Sequence, residues 1–325
     1  MVNLLFLLIL QVISKVPKVY YVSLNDPPST RWTHIQADYA SSIKAFAEEY
    51  ASQVSPVELE GIIEILKKGY LNAELSQELQ GLARTVNITY HQAVFLNLMY
   101  EWNAYCTSIV VRLSNGTIIH GRNLDYMSSA FLSETTVQIN VYQSSRYLYT
   151  SFGFAWYLGV GTGINKGFSV SLNQRDAGGR QATLEALAKG YPGDLWILRQ
   201  AFTNLDSYYQ ASYYLNVSKI AASTYYTIGG LQEGSVITRD RDQAAGFESL
   251  NSTTWFLVQC NSDSWTPDPD GRRTTAINML NSIGQSNMNI ENLLKVLQTP
   301  PVLNPTTVFT SIFIPSAGYM NTTVY

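Results

Sequence analysis

The polarity of the chain changes rhythm once. Between Ser29 and Asn103 the apolar positions recur at the three- to four-residue spacing of amphipathic helices, whereas from Cys106 onward they alternate with polar ones or fill short runs. Capping signals punctuate the first part. Ser55, Pro56 and Glu58 place a serine at an N-cap, a proline at the first helical position and a glutamate three residues after the cap. Thr89 and Gln92 repeat the box, ahead of Ala93, Phe95, Leu96, Leu98 and Met99, which form a stripe to be buried. Nine later segments predict strands: CTSIVVRL, TIIHGRNL, TVQINVYQ, YLYTSFGF, GFSVSLN, YYTIGG, SVITRD, TWFLVQCN and TTVFTSIFI. Helical spacing returns near residues 181–216 and 272–298. No repeat, low-complexity tract or linker divides the chain, so the pattern predicts one α+β domain of sheets covered by helices.

The N-terminal apolar stretch, Leu4 to Ile13, is too short to cross a bilayer and stops at Lys15 and Lys18. It predicts a secretory signal over residues 1–18, with a buried N-terminal strand or a membrane anchor as the competing readings. Tyr147 to Ile164 is uncharged, but its glycines and hydroxyl residues suit core strands better than a lipid-facing helix. Apolar residues make up 46% of the 325 and charged residues 14%, which excludes disorder and allows a large core. The net charge of -3 and the lack of any Lys/Arg-rich run argue against a nucleic-acid partner. Sequons at Asn87, Asn115, Asn216, Asn251 and Asn321 agree with export. The 2 cysteines allow at most one disulfide, and a core of this size needs no staple.

Candidate chemistry is sparse. His34, His91 and His120 are the only histidines and lack metal-ligand spacing, so neither a metal nor a Ser-His-Asp triad is expected. Gly159–Gly167 superficially resembles a phosphate loop, but it lacks the Lys-Ser/Thr pair and runs into a strand. There remains the hairpin around Asn115-Gly116, whose dipeptide predicts a two-residue type I′ turn closed by Ser114 and Thr117. Paired positions would then sum to 231, placing Cys106 opposite Asp125 on one face, about 5 Å apart. Arg122 has the wrong parity for that face and needs a bulge, the strand twist or its own length to reach the thiol. Cys260 reads as an inert buried thiol, its neighbour Asn261 facing the other side of its strand.

CTSIV…HGRNLDY, with Arg122 and Asp125 placed 16 and 19 residues after Cys106, resembles the cysteine amidases of the N-terminal-nucleophile superfamily. Within it the chain resembles the acid ceramidase and N-acylethanolamine-hydrolysing acid amidase family, through SLNDPPSTRW, GFSVSLNQRD, YYTIGG, GSVITRDRD, VQCNSDSW, DGRRTTAINMLN and PPVLNPTTVFTS. Bile-salt and penicillin V hydrolases share the hairpin spacing, so the hairpin marks the superfamily and the downstream blocks mark the lipid-amidase branch.

The resemblance implies an αββα sandwich of two mainly antiparallel sheets, with a helical segment over 19–105 wrapped around a catalytic segment over 106–325. It implies self-cleavage between Tyr105 and Cys106, leaving two associated chains, after which the free α-amine of Cys106 serves as base for its own thiol. Asp125 would orient that amine, Arg122 would favour the thiolate, and Asn261 would hold the oxyanion. Arg272, in preference to Arg273, matches a second family arginine. Gln174 stands where the family usually has Glu, at a position that lends the oxyanion a backbone N–H or shapes substrate preference through its carboxylate. The implied substrates are ceramide or N-acylethanolamine, with no cofactor or metal, at a membrane surface or with a lipid-activator protein, in a lysosome or other acidic compartment of the secretory pathway. Phe131 and Phe152 to Leu158 would be walls of an acyl pocket or plain core. Two other classes compete: an amidase for soluble penicillin V-like or bile-salt-like amides, and a lipid-binding relative that is never cut.

Overall fold

The computed structural model describes residues 14–51, 60–61, 63–64, 66, 72–99 and 104–325. The Ser55–Glu58 box and most of the proposed signal lie outside the described residues. Strand β1 (Lys18–Ser23) precedes helices α1 (Thr33–Asp38), α2 (Ala40–Ala51), α3 (Ala73–Val86) and α4 (Tyr90–Leu98). Strands β2 (Ala104–Arg112) and β3 (Ile118–Tyr126) form the hairpin, followed by α5 (Ser129–Glu134), β4 (Thr136–Gln143), β5 (Arg146–Phe154), β6 (Thr162–Ile164) and β7 (Ser169–Gln174). Helices α6 (Gly179–Ala188), α7 (Asp194–Asn204) and α8 (Tyr208–Val217) lead to β8 (Thr224–Gly229), β9 (Gly234–Arg239), β10 (Ala244–Ser249) and β11 (Phe256–Gln259). Helices α9 (Arg272–Ile283) and α10 (Ile290–Leu297) precede β12 (Thr307–Ile314) and β13 (Tyr319–Val324). All nine strand segments read from the sequence contain a strand. Those not read are β1, β6, β10 and β13.

The strands form an eight-stranded sheet ordered β1-β4-β5-β6-β7-β8-β9-β10 and a five-stranded sheet ordered β11-β2-β3-β12-β13. Only β1 and β4 pair in parallel. Ile109, Val111, Ile119 and Ile312 on the outer face of the five-stranded sheet pack against Ala276 and Leu280 of α9 and Leu293, Val296 and Leu297 of α10. Gly121 permits that approach, since a Cβ there would lie 2.8 Å from Leu297 Cδ1. The opposite side chains of β2 and β3 enter the space between the sheets, and the larger core joins the eight-stranded sheet to α1–α4, α7 and α8. The result is the expected αββα sandwich.

The N-terminal segment is tied to the rest by sheet and charge. Strand β1 runs beside β4, and Lys15 exchanges two backbone hydrogen bonds with Val324. Glu78 of α3 is fully buried between Arg199 of α7, at 2.6 and 2.8 Å, and Arg31, at 3.3 Å. The Thr89 capping box closes as read, with Thr89 Oγ1 accepting from Gln92 N and the Gln92 side chain accepting from Thr89 N.

The hairpin register differs from the expectation by one residue. Leu113 and Thr117 close the turn, with Leu113 N donating to Thr117 O at 2.8 Å and Gly116 N to Leu113 O at 2.9 Å. A type I′ turn needs positive φ at both central residues, and here only Gly116, at φ +87°, has it. The loop therefore takes three residues, and paired positions sum to 230: Cys106 faces Leu124, Ser108 faces Arg122, and Tyr105 faces Asp125.

Candidate active site

The shift in register decides which side chains meet. Cys106, Ser108 and Arg122 share the face turned toward the eight-stranded sheet, so Arg122 needs no bulge to reach the thiol. Its Nη2 lies 2.9 Å from Cys106 Sγ and 2.9 Å from the Leu172 carbonyl, which the Cys106 thiol also approaches at 3.7 Å. Nη1 donates to the Gly161 carbonyl at 2.6 Å and to Thr162 Oγ1. The glycine-bearing loop before β6, which lacks the residues of a phosphate site, thus holds the guanidinium through a backbone carbonyl. No sequence signal announces such a contact.

Asp125 belongs to the other face, toward α9. It stands opposite Tyr105 instead of Cys106, so the expected direct facing of Cys106 and Asp125 does not occur. Its carboxylate accepts from Thr307 Oγ1 at 2.7 Å, Asn304 Nδ2 at 3.0 Å and Arg272 Nη1 at 3.3 Å. Burial pushes this carboxyl up from its ordinary range, against the lowering pull of those three donors. Asn304 lies in the PPVLNPTT block, which carries part of the family resemblance but predicted no role for it.

Arg272 joins the two halves. At the first turn of α9, its Nη1 donates to the Cys106 carbonyl at 2.7 Å, and its Nη2 donates to Asn261 Oδ1 at 3.0 Å. Asn261 Oδ1 also accepts from Cys106 N at 2.8 Å, while its Nδ2 donates to the Gln174 carbonyl at 2.9 Å. Arg273 instead caps carbonyls of Ser262, Asp263 and Thr266, away from the cysteine. Cys106, Arg122, Asp125, Asn261, Arg272 and the backbone of Gln174 are therefore assembled at one point. Cys260 is a separate free thiol 3.7 Å from Thr107 Oγ1, which burial pushes up to about 12.

A cavity of about 580 Å³ opens beside this cluster, with Tyr105, Gln174, Asn261 and Arg272 in its wall. Its lining combines apolar Tyr50, Phe95, Met99 and Tyr126 with polar Asp176, Arg180, Thr183, Ser223 and Arg241. Phe131, Phe154 and Trp156 are not in that wall. Phe131 and Trp156 pack on Phe46, and Phe154 stacks on Trp156, as core packing. Tyr105 is 55% exposed, whereas Cys106 behind it is fully buried in the unbroken chain. His120 is buried between the sheets, and the described residues contain no group of three or more His, Cys, Asp or Glu able to hold a metal ion.

Two stacked, mainly antiparallel sheets between helical layers, with a cysteine near the start of a central strand, make this an N-terminal-nucleophile hydrolase fold. No protein-family model matches the chain. It is 35% identical over 310 residues to the N-acylethanolamine-hydrolyzing acid amidase of Rattus norvegicus, covering 91% of this chain and 85% of the relative. It is 32% identical over 326 residues to the acid ceramidase of Macaca fascicularis, covering 90% and 82%. A solved Caenorhabditis elegans N-acylethanolamine-hydrolyzing acid amidase ortholog superimposes with a TM-score of 0.63 at 33% identity, covering 68% of this chain and 100% of the solved one. The chain belongs to the acid ceramidase and N-acylethanolamine-hydrolysing acid amidase family.

Proposed function

We propose that this protein hydrolyses the amide bond of N-acyl lipids that carry one long acyl chain and a small polar amine. The observation that carries the reading is the placing of Cys106, its thiol 2.9 Å from Arg122 and its backbone nitrogen 2.8 Å from Asn261, beside a cavity lined by both apolar and polar side chains. A single acyl chain suits Tyr50, Phe95, Met99 and Tyr126, and a hydroxylated amine suits Thr183 and Ser223. A second long chain, as in a ceramide, would add apolar surface for which that lining offers fewer partners.

Activation precedes catalysis. The Cys106 thiol attacks the Tyr105 carbonyl, the acyl group moves from nitrogen to sulfur, and water hydrolyses the thioester, freeing a carboxylate on Tyr105 and an α-amine on Cys106. Departure of Tyr105 would uncover a thiol that the unbroken chain buries.

In the mature protein the backbone nitrogen that now donates to Asn261 stands in for that α-amine. The amine takes the thiol proton, Arg122 stabilises the thiolate, and sulfur attacks the substrate carbonyl. Asn261 Nδ2 turns from the Gln174 carbonyl to the developing oxyanion. The C–N bond breaks as the ammonium returns its proton to the departing amine, and water then releases the fatty acid from the thioester. Arg272 and Asp125 hold Asn261 and the Cys106 carbonyl in register. Exposed Met127 adjoins Tyr126 of the cavity wall and suits contact with a lipid surface. An acidic compartment of the secretory pathway, with sequons used, completes the reading.

The test combines N-terminal sequencing after acid incubation with fatty-acid release. Wild type should begin a second chain at Cys106 and release palmitate from N-palmitoylethanolamine faster than from ceramide or a soluble penicillin V-like amide. Cys106→Ala should do neither. Working enzyme with an intact Tyr105–Cys106 bond would sink the mechanism, and a preference for ceramide would sink the substrate assignment.

A further inference from the structure

Behind Cys106, buried polar side chains run between the sheets away from the cavity. Asn173, fully buried, sits on β7 between Leu172, whose carbonyl meets Arg122 and the thiol, and Gln174, whose carbonyl accepts from Asn261. Its side chain crosses to the other sheet. There Nδ2 donates to the carbonyls of Gln259 at 2.9 Å and Cys260 at 3.2 Å, the two residues that lead into Asn261.

The supply of protons on these side chains fixes the direction of each hydrogen bond between them. With both amide protons engaged, Asn173 Oδ1 must accept, and it does so from Ser108 Oγ at 2.7 Å. Ser108 has then used its one proton, so Ser171 Oγ, 2.7 Å away, donates to it. Ser171 has used its own in turn, so in its 2.8 Å contact with His120 Nε2 the imidazole is the donor. A bare Nδ1 can accept from Ser169 Oγ at 2.9 Å, whose one proton has the Gly229 carbonyl at 3.4 Å as its other acceptor. Every member is buried, and the chain requires a proton on His120 Nε2. Burial, with Arg122 nearby, holds His120 down at about 3, so it stays neutral in acid.

We propose that Asn173 is a positioning residue for Asn261, locked in orientation by this one-directional chain of hydrogen bonds from neutral His120. The inference rests on the oxyanion role proposed for Asn261. Asn173 clamps the two carbonyls that precede Asn261, and a displacement of that residue by about 1 Å is enough to cost about a hundredfold in rate.

The test compares wild type with Asn173→Ala, Ser108→Ala, His120→Leu and His120→Gln, each as mature two-chain enzyme normalised by titration of the Cys106 thiol, on N-palmitoylethanolamine. Asn173→Ala should lower kcat about a hundredfold, with KM changed by less than about twofold. Ser108→Ala and His120→Leu should each lower kcat about tenfold. His120→Gln, whose amide can donate to Ser171 and accept from Ser169, should stay near wild type. Nitrogen-15 spectra of the wild type should show His120 protonated at Nε2 alone from about pH 4 to 8. If Asn173→Ala does not fold, Ser108→Ala and His120→Leu decide. An Nδ1-protonated imidazole, wild-type kcat in the folded variants, or losses confined to melting temperature would overturn the proposal. A folded wild type with the Nε2 tautomer but no amidase activity overturns the amidase reading, and this role with it. An active wild type with unaffected variants overturns this role alone.

Discussion

Replacing Arg272 by methionine keeps a stem of similar length while removing the one group that touches both halves of the site. Arg272 is 4% exposed and Asp125 1%, and the guanidinium reaches the Asp125 carboxylate at 3.3 Å, the Cys106 carbonyl at 2.7 Å and Asn261 at 3.0 Å. Breaking a buried ion pair by removing one partner costs about 3–5 kcal/mol. Thr307 and Asn304 still hold Asp125, so the lower end, about 3 kcal/mol at neutral pH, is expected. The loss should depend on pH with a definite sign. Burial already raises the Asp125 carboxyl and Arg272 lowers it, so the variant's carboxyl rises further. A carboxyl whose folded pKa lies above its unfolded value contributes stability that is complete below that value, about 3.9, and lost as pH climbs through the folded pKa. The stability deficit of Arg272→Met should therefore be smallest near about pH 4 and widen toward about pH 7. Urea unfolding midpoints at those two values, measured in the uncut Cys106→Ala background, read it directly. A deficit that is flat or narrows with rising pH would refute the assignment of Arg272 as a cation that holds the Asp125 carboxyl down against burial.

The same contacts set further outcomes. Asn261→Ala should lower kcat on N-palmitoylethanolamine by about 10²–10³ as an oxyanion donor is lost, read by steady-state kinetics on thiol-titrated enzyme; an unchanged kcat counts against the role. Arg122→Met removes the guanidinium 2.9 Å from the Cys106 thiol and should slow its alkylation by iodoacetamide at neutral pH by about tenfold or more. Glu78→Gln, at a fully buried acid between two arginines, should cost about 3–5 kcal/mol by urea titration. After the proposed cleavage the same change should loosen the N-terminal chain, which co-purification with a tagged C-terminal chain would detect. Gly121→Ala should cost about 1–3 kcal/mol, because its Cβ would meet Leu297 at 2.8 Å.

Much of this protein is written in local patterns. The Thr89 capping box, the turn at Asn115-Gly116 and nine strand segments are short-range signals, and each appears where the pattern put it. The spacing of Cys106, Arg122 and Asp125 marked the hairpin as the site, and the block around Asn261 and Arg272 completed it. Of the strands that escaped notice, β1, β10 and β13 lie at sheet edges and β6 has 3 residues.

The tertiary structure decided what depends on one dihedral or on distant partners. The φ of Gly116 set the loop at three residues instead of two, and a slip of one residue exchanges the faces of a strand. That slip brought Arg122 to the thiol and sent Asp125 to the opposite face. The contacts of Asp125 with Asn304 and Arg272, of Arg122 with the Gly161 carbonyl, and of Asn173 with Gln259 and Cys260 all join residues remote in sequence. Sequence by itself proposed the reacting residues, through a family resemblance carried by their types and spacing. Only the packing of two sheets could say which side chains touch, because backbone carbonyls take part in those contacts and every residue carries the same one.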